Sequence, residues 1–241
     1  MKILLIGYGK MGKAIEAIVT DRGHSIVGRL EASNHAELLK FNGTNTDVAI
    51  EFSQPESAFD NIKYCLENGI PIISGTTGWL DKMPEVEALC IENKGTFFYA
   101  SNYSIGVNLF FKLNEQLAKM MVGQNYSTSI EEVHHTQKKD APSGTAISLA
   151  EGIIKNNAQL REWSLNSKGV DTIPIKAERI DNVPGTHIVK YSSAIDDIEI
   201  KHTAHSRQGF ALGAVMVAEW IENKKGVLSM ADFLEDLKIN P

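Results

Sequence analysis

The chain begins with K-I-L-L-I-G-Y-G-K-M-G at residues 2–12, an apolar run that passes directly into a glycine-rich turn. A run of Ile and Leu this short is typical of a buried strand. Ile15, Ile18 and Val19 then recur at helical spacing. Strand, glycine turn and helix in this order are the context in which G-x-G-x-x-G binds the pyrophosphate of a dinucleotide, although the motif alone also fits a plain tight turn.

The three glycines of the motif have separate predicted roles. Gly7 permits the tight turn, Gly9 lets the backbone approach a pyrophosphate, and Gly12 lets the helix pack close to the strand. A second predicted strand, S-I-V-G-R-L-E, ends in Glu31 about twenty residues past the glycines. An acid at this position binds the adenosine ribose hydroxyls and favours NADH, since it repels a 2′-phosphate.

Neighbouring residues qualify this cofactor preference. Arg29, Ser33 and Asn34 lie close to Glu31 in the sequence and could soften the preference for NADH. The alternative is that Glu31 is a plain surface acid, but its position at a strand end favours the cofactor interpretation.

Three further strands are predicted before residue 105, and helices separate them. They are D-V-A-I-E-F-S (47–53), I-P-I-I-S-G-T-T-G (70–78) and T-F-F-Y-A-S-N-Y-S (96–104). This alternation predicts an α/β fold with a Rossmann-type, doubly wound parallel sheet. Ligands lie at the carboxyl ends of such strands, where small and hydrogen-bonding residues such as Gly75 and Thr76 occur, although these could be simple loop residues.

The second half of the chain has a different pattern. After a predicted helix from about Gly106 to Gly123, extended segments alternate polar and apolar residues, and the C-terminal stretch is expected to be helical. This predicts a second, α+β domain built on an open mixed sheet. We expect residues 1–104, completed by 209–241, to bind the dinucleotide, and residues 105–208 to bind the substrate and mediate oligomerisation.

Composition excludes several classes of protein. The net charge of −6 argues against a partner nucleic acid, because phosphate neutralisation requires a basic face. Apolar runs such as Ile3–Ile6 are too short to span a membrane, and the N-terminus does not look like a signal peptide. Cys65 and Cys90 have no metal-ligand spacing, so we predict reduced, buried thiols in a cytoplasmic protein.

The stretch E-E-V-H-H-T-Q-K-K-D-A-P-S-G-T-A-I-S-L-A-E-G, residues 131–152, concentrates groups that transfer protons and hold anions. Histidine titrates near physiological pH, and lysine supplies positive charge or a proton. Ser-Gly-Thr at a helix start leaves backbone N–H groups available for an anion. The stretch therefore predicts a site that binds an anionic substrate and protonates it.

Several side chains in and near this stretch keep two interpretations. His134 and His135 should face opposite sides of a strand, so one of them can be structural. Asp140 and Ser143 either contact substrate or act as turn-former and helix cap. Arg207 either pairs with a substrate carboxylate or forms a surface ion pair, and His202 and His205 are secondary candidates.

We predict no metal site in this stretch. A zinc hydrolase is an alternative interpretation, but two adjacent strand histidines do not easily bind one ion. In addition, no third ligand stands at a usual spacing in the sequence.

These segments resemble the dihydrodipicolinate reductase (4-hydroxy-tetrahydrodipicolinate reductase) family over essentially the whole chain. The most specific match is E-V-H-H-T-Q-K-K-D-A-P-S-G-T-A, which is similar to the family's E-x-H-H-x-x-K-x-D-x-P-S-G-T-A. Supporting segments are G-T-T-G (75–78), A-S-N-Y-S-I-G-V-N (100–108) and H-S-R-Q-G-F-A-L-G-A (205–214). The resemblance implies an NAD(P)H-dependent reductase of a cyclic dicarboxylate in the diaminopimelate and lysine pathway, typically a homotetramer.

The resemblance also implies roles for individual residues. His134 becomes the proton donor/acceptor and Lys138 the proton donor. His135 becomes a substrate contact, with Gly144 and Thr145 as the backbone clamp on a substrate carboxylate. The implied cofactor contacts are Gly7, Tyr8, Gly9, Lys10, Met11, Gly12, Glu31, Gly75, Thr76, Thr77, Ala100, Ser101, Asn102 and Tyr103.

Two departures from the family pattern bear on the cofactor. The glycine loop is short, and Ala32 stands where the family often has an arginine after the acidic residue. A 2′-phosphate would find less positive charge here, although Lys10 could supply some. We therefore expect NADH to be slightly favoured with NADPH tolerated. The alternative class is an NAD-binding regulatory or redox-sensing protein without catalysis, which would not need the His/Lys loop.

Overall fold

The computed structural model describes residues 1–167, 169–206 and 208–237. These residues form two compact units. The first unit comprises Met1–Ile105 and the described residues from Gln208 onward. The second unit comprises the described residues between 106 and 206. The second unit is therefore inserted in sequence between two parts of the first.

The secondary structure alternates in the first unit and becomes strand-rich in the second. The strands are β1 (Lys2–Ile6), β2 (Ser25–Leu30), β3 (Val48–Glu51), β4 (Ile72–Ser74), β5 (Thr96–Tyr99), β6 (Ser127–His134), β7 (Glu162–Leu165), β8 (Thr172–Arg179), β9 (Gly185–Ser192), β10 (Asp197–Ala204) and β11 (Gly226–Ser229). The α-helices are α1 (Lys10–Asp21), α2 (Pro55–Glu67), α3 (Met83–Glu92), α4 (Ile105–Met120), α5 (Gly144–Asn156), α6 (Gln208–Trp220) and α7 (Met230–Asp236). Two short 3-10 helices cover His35–Lys40 and Leu80–Lys82.

The first unit is built on a six-stranded sheet in the order β11-β5-β4-β3-β1-β2, with every pair parallel. Helices cover both faces. Ile15, Val215 and Phe233 belong to the core on one face, and Ile62 and Val86 to the core on the other. This arrangement confirms the predicted Rossmann-type, doubly wound sheet.

The inner strands of this sheet are apolar at most positions because both faces are covered. Ile3, Leu4, Leu5 and Ile6 of β1 are each at most 1% exposed, as expected for a parallel strand between two helical layers. The prediction missed β11, which lies in a stretch that was expected to be purely helical. Its four residues, G-V-L-S, pair with β5 at the edge of the sheet.

The second unit is built on a five-stranded mixed sheet in the order β10-β9-β6-β8-β7. Strand β6 pairs antiparallel with β9 and parallel with β8. Helices α4 and α5 cover one face, where Phe110, Leu149, Ile130 and Val189 form a core. The predicted α+β unit on an open mixed sheet is confirmed. Sequence patterns did not reveal β7, a short edge strand.

Two predictions about chemistry can be compared with the fold directly. Cys65 and Cys90 are free, buried thiols. Burial raises the pKa of both, so they stay protonated at neutral pH. Across the described part of the chain, none of the helices combines the length and the apolar character that crossing a bilayer requires.

Candidate active site

The glycine turn after β1 is shaped by two contacts that exclude a side chain. Gly7 has a φ of +96°, and a Cβ there would lie 2.0 Å from the carbonyl oxygen of Phe52. A Cβ on Gly12 would lie 2.4 Å from the carbonyl oxygen of Gly7. Gly9, the N-cap of α1, faces open space. A helix start with an open backbone suits the phosphates of a dinucleotide.

The turn after β2 holds Glu31 through the side chain of Asn34. The Asn34 Oδ1 atom accepts a hydrogen bond from the Glu31 N–H at 2.7 Å, and its Nδ2 donates to the Arg29 carbonyl at 3.0 Å. Glu31 and Ala32 are both exposed. The backbone of Glu31 is therefore fixed at the strand end, and the next residue, Ala32, brings no charge.

Arg29 is not a free cation at this end of the sheet. Its Nε donates to Glu16 Oε1 at 2.8 Å, and the Tyr8 hydroxyl donates to the same carboxylate. The hydrogen bond from Arg29 is the main reason why the pKa of Glu16 is lowered. Glu16 therefore stays ionised and compensates the guanidinium charge.

The loop after β4 is anchored by a buried carboxylate. Glu51 is fully buried and accepts hydrogen bonds from Ser53 N (2.9 Å), Ser74 Oγ (2.6 Å) and Thr76 Oγ1 (2.8 Å). A Cβ on Gly75 would lie 2.1 Å from the Phe52 ring. These contacts fix the backbone of Gly75 and Thr76.

The other predicted contacts in the first unit differ in accessibility. Thr77 and Ser101 are exposed, Lys10 is exposed in the first turn of α1, and Ala100 is buried. Tyr103 is only 2% exposed, and its hydroxyl donates to the Ser74 carbonyl at 2.8 Å. A cofactor contact at Tyr103 would have to use its backbone.

Three predicted residues complete this part of the site with intermediate exposure. Tyr8, Met11 and Asn102 are each half-buried. Met11 packs against the apolar core beneath α1, and Asn102 Oδ1 accepts a hydrogen bond from Ser104 N at 2.9 Å. Asn102 therefore shapes the turn that follows β5.

In the second unit, the His/Lys loop runs from the end of β6 to the start of α5. Ser143 is the N-cap of α5, because its Oγ accepts a hydrogen bond from Ala146 N at 3.2 Å. Gly144 and Thr145 occupy the first turn, where N–H groups have no acceptor within the helix. Gly144 is exposed and Thr145 half-buried, so this helix start can bind an anion.

His134 ends β6 as a buried side chain, whereas His135 is half-buried. Burial is the main cause that lowers the pKa of His134 to about 4, and the charges of Lys138 and Arg179 act in the same direction. The ring is therefore neutral at neutral pH. A neutral imidazole can accept a proton or relay one, but it cannot act as a general acid until it has been protonated.

Lys138 is paired with Asp140. Its Nζ lies 2.8 Å and 2.7 Å from the two carboxylate oxygens, and this contact lowers the pKa of Asp140. The Asp140 side chain is 60% exposed, and ion pairs this exposed contribute at most about 1 kcal/mol. A substrate carboxylate could thus replace Asp140 as the partner of Lys138. The neighbouring Lys139 is exposed.

Sequence reasoning missed three residues beside the loop. Glu132 lies fully buried under it, and Arg179 and His187 approach Glu132 from β8 and β9. Burial alone would raise the pKa of Glu132, but the His187 imidazole and the Ser143 hydrogen bonds outweigh it and lower the pKa to about 2. The period of a strand could have revealed Glu132, which shares a face with His134. No sequence spacing indicates Arg179 or His187.

The fold brings together three possible metal ligands that sequence spacing does not indicate. Ligand atoms of Glu132, His134 and His187 lie within 4.8 Å of one another. However, Glu132 also accepts hydrogen bonds from Ser143 N at 3.1 Å and pairs with Arg179 at 3.2 Å. The guanidinium of Arg179 already compensates the charge of Glu132 and would repel a divalent cation.

The secondary candidates are more dispersed. The His202 ring lies 5.9 Å from the Phe110 ring, and burial lowers the pKa of His202. His205 is exposed. Arg207 lies outside the described residues.

The doubly wound sheet carries a glycine turn with an open helix start, and the same chain carries a His/Lys loop that leads into a second open helix start. These features are those of a dinucleotide-dependent oxidoreductase. Two family models specify it further. "Dihydrodipicolinate reductase, N-terminus" matches residues 1–103, and "Dihydrodipicolinate reductase, C-terminus" matches residues 106–234. The chain belongs to the dihydrodipicolinate reductase family, as the resemblance predicted.

Similar proteins agree with this assignment. The chain is 52% identical over 240 residues to the 4-hydroxy-tetrahydrodipicolinate reductase of Christiangramia forsetii, covering 98% of this chain and 99% of the relative. A dipicolinate-bound dihydrodipicolinate reductase from Paenisporosarcina sp. TG-14 superposes with a TM-score of 0.79 at 24% identity, covering 97% and 99% of the two chains. A C. glutamicum DAP dehydrogenase in complex with DAP gives 0.53 at 12% identity, covering 100% and 98%. The two structural likenesses concern the fold alone.

Proposed function

We propose that this chain is a 4-hydroxy-tetrahydrodipicolinate reductase, which uses NAD(P)H to form tetrahydrodipicolinate for diaminopimelate and lysine synthesis. The observation that carries the proposal is the loop between β6 and α5. It presents a neutral His134, a charged Lys138 and the open helix start at Gly144 within eleven residues. The 52% identity to a reductase of this name supports the same activity.

The dinucleotide supplies the hydride when it is bound, and the chain supplies its binding site. The open N-terminus of α1 at Gly9 suits the pyrophosphate. Glu31, held by Asn34, suits the ribose hydroxyls. The first unit therefore contributes binding and orientation.

The substrate would be held as a dianion by the second unit. The N–H groups of Gly144 and Thr145 suit one carboxylate, because a helix start attracts negative charge without a further cation. The Paenisporosarcina relative is bound to dipicolinate, a planar dicarboxylate. Dipicolinate is therefore a suitable probe for this site, independent of turnover.

Proton delivery falls to the two catalytic candidates. Lys138 carries a proton and a positive charge that can offset the charge built up as hydride arrives. Its side chain is 23% exposed, so solvent can return the proton afterwards. His134 is neutral and suits a role as acceptor or relay. His135, half-buried beside it, is the proposed substrate contact.

NADH is the proposed preferred cofactor, with NADPH tolerated. Ala32 offers no charge to a 2′-phosphate, and the charge of Arg29 is compensated by Glu16. Lys10, exposed at the start of α1, is a nearby cation that could support NADPH.

A cytoplasmic homotetramer is the proposed state of the protein. Buried free thiols at Cys65 and Cys90 suit a reducing compartment. In the second unit, α4 and α5 cover only one face of the mixed sheet. The opposite face carries half-buried Val133 and Ile188. Light scattering of the purified protein should give four chain masses, and a monomer would contradict the proposal.

Turnover of purified protein with enzymatically generated substrate tests the activity. We expect NADH absorbance to fall only when both substrate and protein are present. With NADPH in place of NADH, we expect the absorbance to fall more slowly. No loss with either cofactor would overturn the proposal. Tight NADH binding without turnover would instead favour the regulatory alternative.

A further inference from the structure

Glu132 and Arg179 lie beneath the His/Lys loop, and neither is among the residues that the family resemblance assigns to binding or chemistry. We propose that they form a positioning pair, which holds Lys138 and the Gly144 helix start in a fixed geometry relative to His134. The inference rests on the proposed reductase function, because it concerns the geometry of that site.

Arg179 holds the first half of the loop through its planar fork of donors. Its Nε donates to the Lys138 carbonyl at 3.3 Å, and Nη2 donates to the Asp140 carbonyl at 2.6 Å. The same Nη2 lies 3.2 Å from Glu132 Oε1, and Nη1 donates to the Glu178 carbonyl at 2.8 Å. A guanidinium can reach these acceptors together because its donors lie in one rigid plane, whereas a lysine ammonium cannot.

Glu132 holds the second half of the loop. Both of its carboxylate oxygens accept a hydrogen bond from the backbone nitrogen of Ser143, at a nitrogen–oxygen distance of 3.1 Å. Ser143 directly precedes the first residue of α5. Ser143 Oγ caps α5 and lies 3.0 Å from His187 Nε2. The entry to α5 is therefore fixed by a carboxylate that belongs to β6, the strand that ends in His134.

The sheet connects these two anchors to His134. Arg179 is the partner of His134 in the parallel β6–β8 ladder, and Ile180 N donates to the His134 carbonyl at 2.8 Å. The Glu132–Arg179 ion pair therefore contacts both halves of the loop and also belongs to the two strands that pair at His134. A displacement of about 1 Å at such a site is enough to cost roughly a hundredfold in rate.

The charge balance separates this role from substrate binding. Glu132 is fully buried, and the Arg179 side chain is 21% exposed. Each compensates the other, so the pair adds no net charge beside the proposed dicarboxylate. Removing one partner would leave a buried charge without compensation, which destabilises a fold strongly. The test therefore needs substitutions that keep the charge.

Arg179→Lys keeps the positive charge beside Glu132 but loses the fork that holds the loop carbonyls. We expect kcat to fall at least about tenfold and the Kd for dipicolinate to rise about tenfold, because the loop is no longer fixed. The Kd for NADH should change less than about twofold, since the first unit is untouched. Arg161→Lys is the matched control, because Arg161 pairs with Asp171 in the same unit, away from the loop.

Calorimetric titration with dipicolinate, together with circular dichroism, separates a positioning role from a merely structural one. A lower Tm with unchanged kcat and unchanged dipicolinate Kd would overturn the inference. A second variant, Glu132→Asp, keeps the negative charge but shortens the reach to Ser143 N. It should weaken dipicolinate binding as well, and the double variant should lose less binding free energy than the sum of the two single variants. Additive losses would contradict a pair that acts as one unit.

Failure of this inference can be told apart from failure of the proposed function. If wild-type protein shows no turnover but binds dipicolinate, and Arg179→Lys weakens that binding, the reductase proposal fails while the positioning pair stands. If wild-type protein turns over and both variants match it in kcat and dipicolinate Kd, the reductase proposal stands and the pair is refuted.

Discussion

The Nδ1 atom of His134 lies 3.5 Å from the Oε2 atom of Glu132, and both side chains are buried on the same face of β6. The carboxylate favours a charged imidazole, but burial outweighs it and lowers the pKa of His134 to about 4. The pKa of Glu132 is itself lowered to about 2. At neutral pH the pair is therefore a carboxylate beside a neutral ring, and this sets how the protein responds to acid.

Acid should destabilise the protein in two steps. The pKa of His134 is lowered from 6.5 to about 4, so the unfolded state binds its proton first. The stability that depends on a neutral His134 is complete above about pH 6.5 and is lost as pH falls toward 4. Protonation of Glu132 causes a second loss of stability as pH falls from about 4.5 toward 2. Urea unfolding at a series of pH values measures both.

His134→Asn isolates the first step. Because asparagine does not titrate, the variant should lose less stability than wild type between pH 7 and pH 4.5, by on the order of 2 kcal/mol. The comparison uses the change in the free energy of unfolding with pH for each protein. A loss of stability that the substitution causes equally at every pH therefore cancels. Parallel curves for the two proteins would show that His134 is not the titrating group.

Lys138 should be needed for turnover but not for dinucleotide binding. Lys138→Met removes the charge and the proton while keeping most of the side-chain length, so kcat should fall by about a hundredfold or more. The NADH Kd, measured by fluorescence titration, should stay unchanged. Lys139→Met is the matched control, because Lys139 is the exposed neighbour on the same loop. Equal losses in both variants would argue against a specific role for Lys138.

The fold was largely predictable because its patterns are local. The apolar run of β1, the glycine turn and the alternation of β6 are each visible within about ten residues. Strands β7 and β11 were missed because each has only four residues and lies at a sheet edge, where pairing defines the strand better than composition does. Tyr103 was predicted from a motif, but its ring packs in the core.

The candidate site was predictable only in part, because sequence patterns reveal residues that are close together along the chain. His134, Lys138 and Gly144 are close in sequence, so one motif contains them all. Arg179 is 47 residues from Glu132 and reaches it only because β8 pairs with β6. His187 reaches Ser143 across 44 residues through β9. Contacts made by sheet pairing leave no spacing signal in a single sequence.

The backbone N–H of Gly144 can be removed without breaking α5. A proline is tolerated at the first position of a helix, where the N–H has no intrahelical acceptor. Ser143 already has φ −68° and ψ 155°, a conformation that suits a residue before proline, and a Cβ on Gly144 would meet nothing within 4 Å. Gly144→Pro should therefore raise the dipicolinate Kd about tenfold with an unchanged Tm.

Gly144→Ala is the control for this prediction. Alanine keeps the N–H and fills the same open space, so dipicolinate binding should match wild type within about twofold. If the proline variant also binds like wild type, the Gly144 N–H does not hold the carboxylate. If alanine weakens binding as much as proline does, the effect is steric and not a lost hydrogen bond.

Glu16 should influence the choice between NADH and NADPH by compensating the charge of Arg29. Glu16→Gln removes the negative charge, so Arg29 becomes available to a 2′-phosphate and the NADPH Kd should fall several-fold, roughly 3- to 10-fold. The NADH Kd should change less than about twofold, because NADH has no 2′-phosphate. Ala32→Arg, which adds a cation directly after Glu31, is the positive control and should act in the same direction. Fluorescence titrations with both cofactors decide the matter: an equal change in the two Kd values for Glu16→Gln would show that Arg29 does not reach the 2′ position.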